Sequence, residues 1–80
     1  MQSTYECIKE LLNDIHPEID FTKEKDLAKQ EILDSFDTVT LISDIYDKLG
    51  VLIPSDEITP ENFYSLDTIV SMADSLIKRK

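Results

Sequence analysis

The chain has 80 residues and carries 17 Asp and Glu against 8 Lys and Arg, a formal net charge of −9 with its one His neutral. That balance excludes nucleic-acid binding by phosphate neutralisation, which needs a basic face. With 41% hydrophobic residues, one Gly and no Trp, the composition predicts a single all-α domain over residues 1–80 whose apolar side chains are nearly all spent on one core, which leaves little for a substrate cavity and argues against a stand-alone enzyme.

Tyr5, Ile8, Leu11, Leu12 and Ile15 recur at steps of three and four behind Ser3 and Glu6, which stand in the S-x-x-E order of a capping box. A first helix over residues 4–15 is predicted. His16-Pro17 ends it, because the residue before a proline is pushed out of the helical region. Residues 17–33 show no sustained period and predict a long loop, with Ile19, Phe21, Leu27 and Ile32 as anchors across the core.

The helical period returns from Ser35 to Leu49, where Thr38, Val39, Leu41, Ile42, Ile45, Tyr46 and Leu49 are predicted to face the core. Gly50 stands at the left-handed cap position, and Val51-Leu52-Ile53-Pro54 leaves in extended form. Thr59-Pro60-Glu61 carries a cap, a proline at the first helical position and an acid in the first turn, which predict a short third helix containing Phe63 and Tyr64. Ser65 then caps a last helix with Leu66, Ile69, Val70, Ala73, Leu76 and Ile77 inward, and Lys78-Arg79-Lys80 suits its negative end. The expected architecture is a small four-helix bundle of three longer helices and one short one. Residues 34–67 hold eight acids and one Lys, so the acidity is concentrated in the second helix and the segment after it.

Asp34-Ser35-Phe36-Asp37 is the segment with chemistry in it. Ser35 stands at the start of the second helix, where unpaired N–H groups and the positive dipole end favour a phosphate, although Ser and Asp are also the commonest plain caps. Phe36 lies off the core stripe, beside Thr40 and among acids, as a docking feature for a basic partner would.

Ile32-Leu33-Asp34-Ser35-Phe36-Asp37-Thr38-Val39-Thr40-Leu41-Ile42 resembles the D-S-[Leu/Met/Phe]-[Asp/Glu] attachment motif and following helix of the acyl carrier proteins and their peptidyl and D-alanyl relatives. The resemblance runs on through Leu49-Gly50-Val51 and Ile53-Pro54 to the last helix. It implies that Ser35 receives a 4′-phosphopantetheine arm from coenzyme A, its hydroxyl attacking the pyrophosphate on a separate phosphopantetheinyl transferase that supplies the metal and the base. The arm's thiol would hold an acyl or aminoacyl group as a thioester. Asp34 would flank and present the serine, while Phe36, Asp37, Thr40, Asp44 and Asp47 would form the face read by loading ligases and acyl transferases with basic patches. Many fatty-acid carriers have Gly two residues before the Asp-Ser pair; Ile32-Leu33 here look more like the D-alanyl carriers, so the cargo stays open among fatty acyl, polyketide, aminoacyl and D-alanyl groups.

The alternative from another class is an acidic helical interaction domain with no prosthetic group. Other candidates are weaker. Cys7 reads as a small core filler, and His16 as a helix-end residue near the dipole's negative pole. The acids lack the spacing of a calcium loop, and no metal site is expected. A lone Cys without a disulfide or zinc partner suits a reducing cytoplasm. The longest apolar run, Val51-Leu52-Ile53, is too short to span a bilayer or to form a signal-peptide core, so a soluble, untargeted monomer is expected.

Overall fold

Ser3 begins the first helix as its spacing to Glu6 predicts, its Oγ accepting the Glu6 N–H at 3.1 Å. In the computed structural model, which describes residues 3–27, 30 and 32–78, this helix is α1 (Thr4–Ile15), followed by α2 (Ser35–Leu49) and α3 (Leu66–Lys78). α1 packs against both others. Its face of Cys7, Ile8, Leu11 and Leu12 is buried, and His16 closes it with its N–H on the Leu12 carbonyl.

The connection from α1 to α2 is no plain loop. It turns at Asp20, whose Oδ1 accepts the Thr22 N–H at 3.0 Å, then crosses the core with Phe21 and Leu27 buried in it and Ile19 and Ile32 packed against its edge. Leu27 donates its N–H to the Tyr64 carbonyl at 3.0 Å, and Lys25 and Ser65 form an isolated antiparallel bridge. Asp26 between them adopts φ 55°, a left-handed conformation that an Asp tolerates better than most side chains. Leu33 is also buried, an anchor beyond the four expected.

α2 spans the predicted residues, from the Asp34 cap to Gly50 at φ 67°, the left-handed position that favours glycine. Its buried stripe is narrower than expected. Leu41 and Ile45 are buried with Ile42 and Leu49 packed beside them, but Val39 is 65% exposed and Tyr46 54% exposed. At about 100° per residue Val39 lies roughly 160° from Leu41 and Tyr46 about 140° from it, too far round for one helix to bury both.

The predicted third helix is corrected. Pro54 leads into a single 3-10 turn, Ser55–Glu57. Thr59 then starts one turn, accepting the Asn62 N–H on Oγ1 and the Phe63 N–H on its carbonyl, both at 3.1 Å, and the chain goes no further as a helix. Among the described residues there are three α-helices, not four. Elongation stops because the Tyr64 carbonyl is taken by Leu27 and Ser65 is held by the bridge and by the next cap. At that cap Ser65 Oγ accepts the Thr68 N–H at 3.4 Å and Thr68 Oγ1 accepts the Ser65 N–H at 2.9 Å, a reciprocal arrangement with Thr in the place of the usual Glu or Gln.

α3 buries Leu66, Ile69 and Ala73 as predicted, and Met72 as well. Val70 and Leu76 pack at its border, whereas Ile77 is on the exposed side. The predicted basic end is described only to Lys78; Arg79 and Lys80 lie outside the described residues.

A net charge of −9 on a chain this short makes self-repulsion a cost of the compact state. Raising ionic strength from about 0.01 M to 0.15 M shortens the Debye length from about 30 Å to about 8 Å. The melting temperature is therefore expected to rise over that range; a flat thermal-denaturation series would show that repulsion is unimportant.

Candidate attachment site

Asp34, not Ser35, is the cap of α2. With extended dihedrals of φ −88° and ψ −175°, it places its Oδ1 2.8 Å from the Asp37 N–H. Its carbonyl accepts both the Thr38 N–H and the Thr38 hydroxyl at 2.9 Å. The cap thereby orders the turn, and Ser35 becomes the first helical residue with its side chain exposed. The first N–H groups of a helix have no intrahelical acceptor, so the Ser35 hydroxyl lies at the pole that favours an anion.

An open cleft of about 500 Å³ adjoins Ser35. Leu33, Val39, Ile42 and Ile58 supply apolar wall, and Asp34, Ser35 and Thr38 the polar edge. Ile58, between the 3-10 turn and Thr59, follows α2 in the chain but meets the start of that helix, 23 residues from Ser35 in sequence. An exposed hydroxyl at a capped helix start, opening onto a part-apolar cleft, fits a group joined through a phosphate and carrying an apolar end.

The remaining predicted residues separate into two sets. Phe36 is 78% exposed, and Asp47 is also exposed. Val39 and Tyr46 join them on the solvent side of α2, although sequence reasoning placed both in the core; counting each residue's angle from Leu41 alone is the signal that finds them. Asp37, Thr40 and Asp44 are half-buried along the border of that face. Thr40 turns its hydroxyl inward onto the Phe36 carbonyl at 3.0 Å.

Asp37 is engaged within the chain, its Oδ2 lying 2.7 Å from His16 Nε2. On the other side of the ring, His16 Nδ1 lies 3.2 Å from Glu18 Oε2. The hydrogen bond to Asp37 holds the imidazole above its ordinary value against the opposing effect of burial, and the charges of Asp37 and Glu18 add to the rise. This pair joins residues 21 apart, beyond any local pattern. Burial pushes the Cys7 thiol up, with Glu10 adding to it, which makes it a poor nucleophile.

Among the described residues no group of three or more His, Cys, Asp or Glu could hold a metal ion, and no helix is long and apolar enough to cross a membrane. Comparison with curated proteins and with solved structures gives no significant match. The family model of the phosphopantetheine attachment site matches residues 4–76, a span that takes in α1, α2, all but the last two residues of α3, the Asp34 cap and the cleft. The chain therefore belongs to the phosphopantetheine-binding family, as an acyl-carrier-type domain that is the attachment site for covalently bound 4′-phosphopantetheine.

Proposed function

We propose that residues 1–80 form one cytoplasmic carrier domain, not an enzyme, in which Ser35 bears the 4′-phosphopantetheine and an acyl or aminoacyl group is handed between partner enzymes. The observation that carries this reading is the exposed Ser35 hydroxyl at the Asp34-capped start of α2, inside the span matched by the family model. When attached, the arm supplies a terminal thiol for holding the acyl group. Asp34 fixes the turn by its cap bond, and Ser35 is presented outward by it. Leu33, Val39, Ile42 and Ile58 give an apolar portion of the load a wall to lie against.

Partners on this reading are a phosphopantetheinyl transferase, a loading ligase and acyl transferases. Phe36, Val39 and Tyr46 offer them an apolar strip, and Asp47 an exposed acid for a basic patch. Asp37, tied to His16, supports the turn from within more than it meets a partner. Ile32-Leu33 before the motif look more like the D-alanyl carriers than the fatty-acid ones, and the load stays an acyl or aminoacyl group.

The test is the intact mass after incubation with coenzyme A, magnesium and a broad-specificity phosphopantetheinyl transferase, expected to rise by one phosphopantetheine. An unchanged mass under conditions that load a control carrier would favour an interaction domain without a prosthetic group. Phe36→Ala is expected to change stability by less than about 0.5 kcal/mol, as exposed substitutions usually do, while slowing loading. A loss of roughly 3–5 kcal/mol, typical of a core Phe, would remove its docking role.

A further inference from the structure

His16 joins three pieces of the chain. It closes α1, it precedes the connection through Pro17, and its ring reaches the first turn of α2. Nε2 lies 2.7 Å from Asp37 Oδ2 and Nδ1 3.2 Å from Glu18 Oε2. Ionised carboxylates only accept hydrogen bonds, and a neutral imidazole has one N–H and one bare lone pair. Only the imidazolium donates to both acids; the neutral ring leaves a lone pair facing an anionic oxygen.

The contact continues into the helix start. Asp37 is the third residue of α2, and its own N–H donates to Asp34 Oδ1, the bond that caps the helix. Its side chain is 18% exposed and that of His16 28%, so water screens the pair only in part. The charged groups acting on the ring are both acids, Asp37 from α2 and Glu18 from the connection, and among the described residues no group of α3 acts on it. A cation here also sits at the carbonyl end of α1, where the helix dipole favours it.

We propose that His16 and Asp37 form a proton-dependent tie that holds the first turn of α2 to the end of α1, so that the order of the turn bearing Ser35 follows pH. His16 is a positioning residue, acting on Ser35 through Asp37 and the Asp34 cap. The proposal rests on the carrier reading only in treating Ser35 as the functional residue of that turn. Its test uses the unmodified chain, so its failure is distinct from a failure to load.

The bond to Asp37 places the folded His16 above its unfolded value. The stabilisation is therefore complete below the ordinary histidine value of about 6.5 and is lost as pH rises through the raised folded one. Amide exchange of Asp37 and Thr38, corrected for intrinsic rates, is expected to show protection roughly two- to fivefold lower at about pH 8.5 than at about pH 6, the range of a partly exposed ion pair. Leu11 and Leu12 inside α1 should change less. In His16→Gln and Asp37→Asn the difference at the α2 start should vanish. As a second readout, the NMR titration midpoint of the His16 ring should lie above 6.5 in the wild type and move down in Asp37→Asn. A wild-type chain without the pH-dependent loss, an equal loss in His16→Gln, or a ring midpoint that Asp37→Asn leaves in place would overturn the proposal.

Discussion

Ser35→Ala is expected to abolish the phosphopantetheine mass increase and to leave the fold intact. Both halves follow from the same geometry. The cap of α2 belongs to Asp34, whose Oδ1 takes the Asp37 N–H, so removing the Ser35 hydroxyl costs no capping bond. Ala is also the better helix former, by a few tenths of a kcal/mol per residue. Of the six other serines, Ser3 uses its Oγ to cap α1, Ser65 is buried in the reciprocal cap of α3, Ser43, Ser71 and Ser75 lie within α2 or α3 past the first turn, and Ser55 opens only a single 3-10 turn with no side-chain cap. Intact-mass measurement on both proteins, with circular dichroism to show equal helicity, reads the result. Full loading of Ser35→Ala would place the attachment elsewhere and remove the central assignment. Asp34→Ala makes a useful contrast, since loss of a cap costs about 0.5–2 kcal/mol and frays the turn itself.

Leu27→Ala is expected to destabilise the fold strongly, by about 2–5 kcal/mol. A domain of this size has a total stability of only about 4–12 kcal/mol at the usual value per residue, so the variant should melt far lower or fail to fold at ambient temperature. Leu27 is fully buried although it lies in no helix. Its N–H donates to the Tyr64 carbonyl at 3.0 Å, and its carbonyl accepts the Ile32 and Leu33 N–H groups at 2.9 and 3.2 Å. Removing the side chain empties the core at the point where these bonds fasten the connection to the start of α3. Val39→Ala, within a helix but largely exposed, should shift stability by less than about 0.5 kcal/mol. Urea denaturation of the two variants separates burial from helix membership as the cause. A Leu27→Ala loss no larger than that of Val39→Ala would show that the connection lies outside the cooperative unit.

Local signals located the features that depend on neighbouring residues. Ser3 and Pro17 bracket α1, Asp34 and Gly50 bracket α2, and each works through backbone groups within four residues of itself. The exposed Ser35 and Phe36 were legible for the same reason, since a position at a helix start and an angle on a helix follow from sequence spacing alone. The third helix was misread because its signals at Thr59 and Pro60 are genuine but lose to contacts from elsewhere. Tyr64 and Ser65 are bound to Leu27 and Lys25, and a one-turn helix gains too little from its own hydrogen bonds to resist. Val39 and Tyr46 are exposed because each lies more than about 120° round α2 from Leu41, so being apolar and in the helix does not put them on its buried stripe. The cleft beside Ser35 needs Ile58 to be brought back across α2, and the His16–Asp37 pair needs the end of α1 laid against the start of α2. The sequence by itself thus determined the helix limits and the exposed serine, because these are settled by short-range hydrogen bonding. Only the tertiary structure decided the cleft and the histidine tie, because each is made by residues that packing, not spacing, brings together.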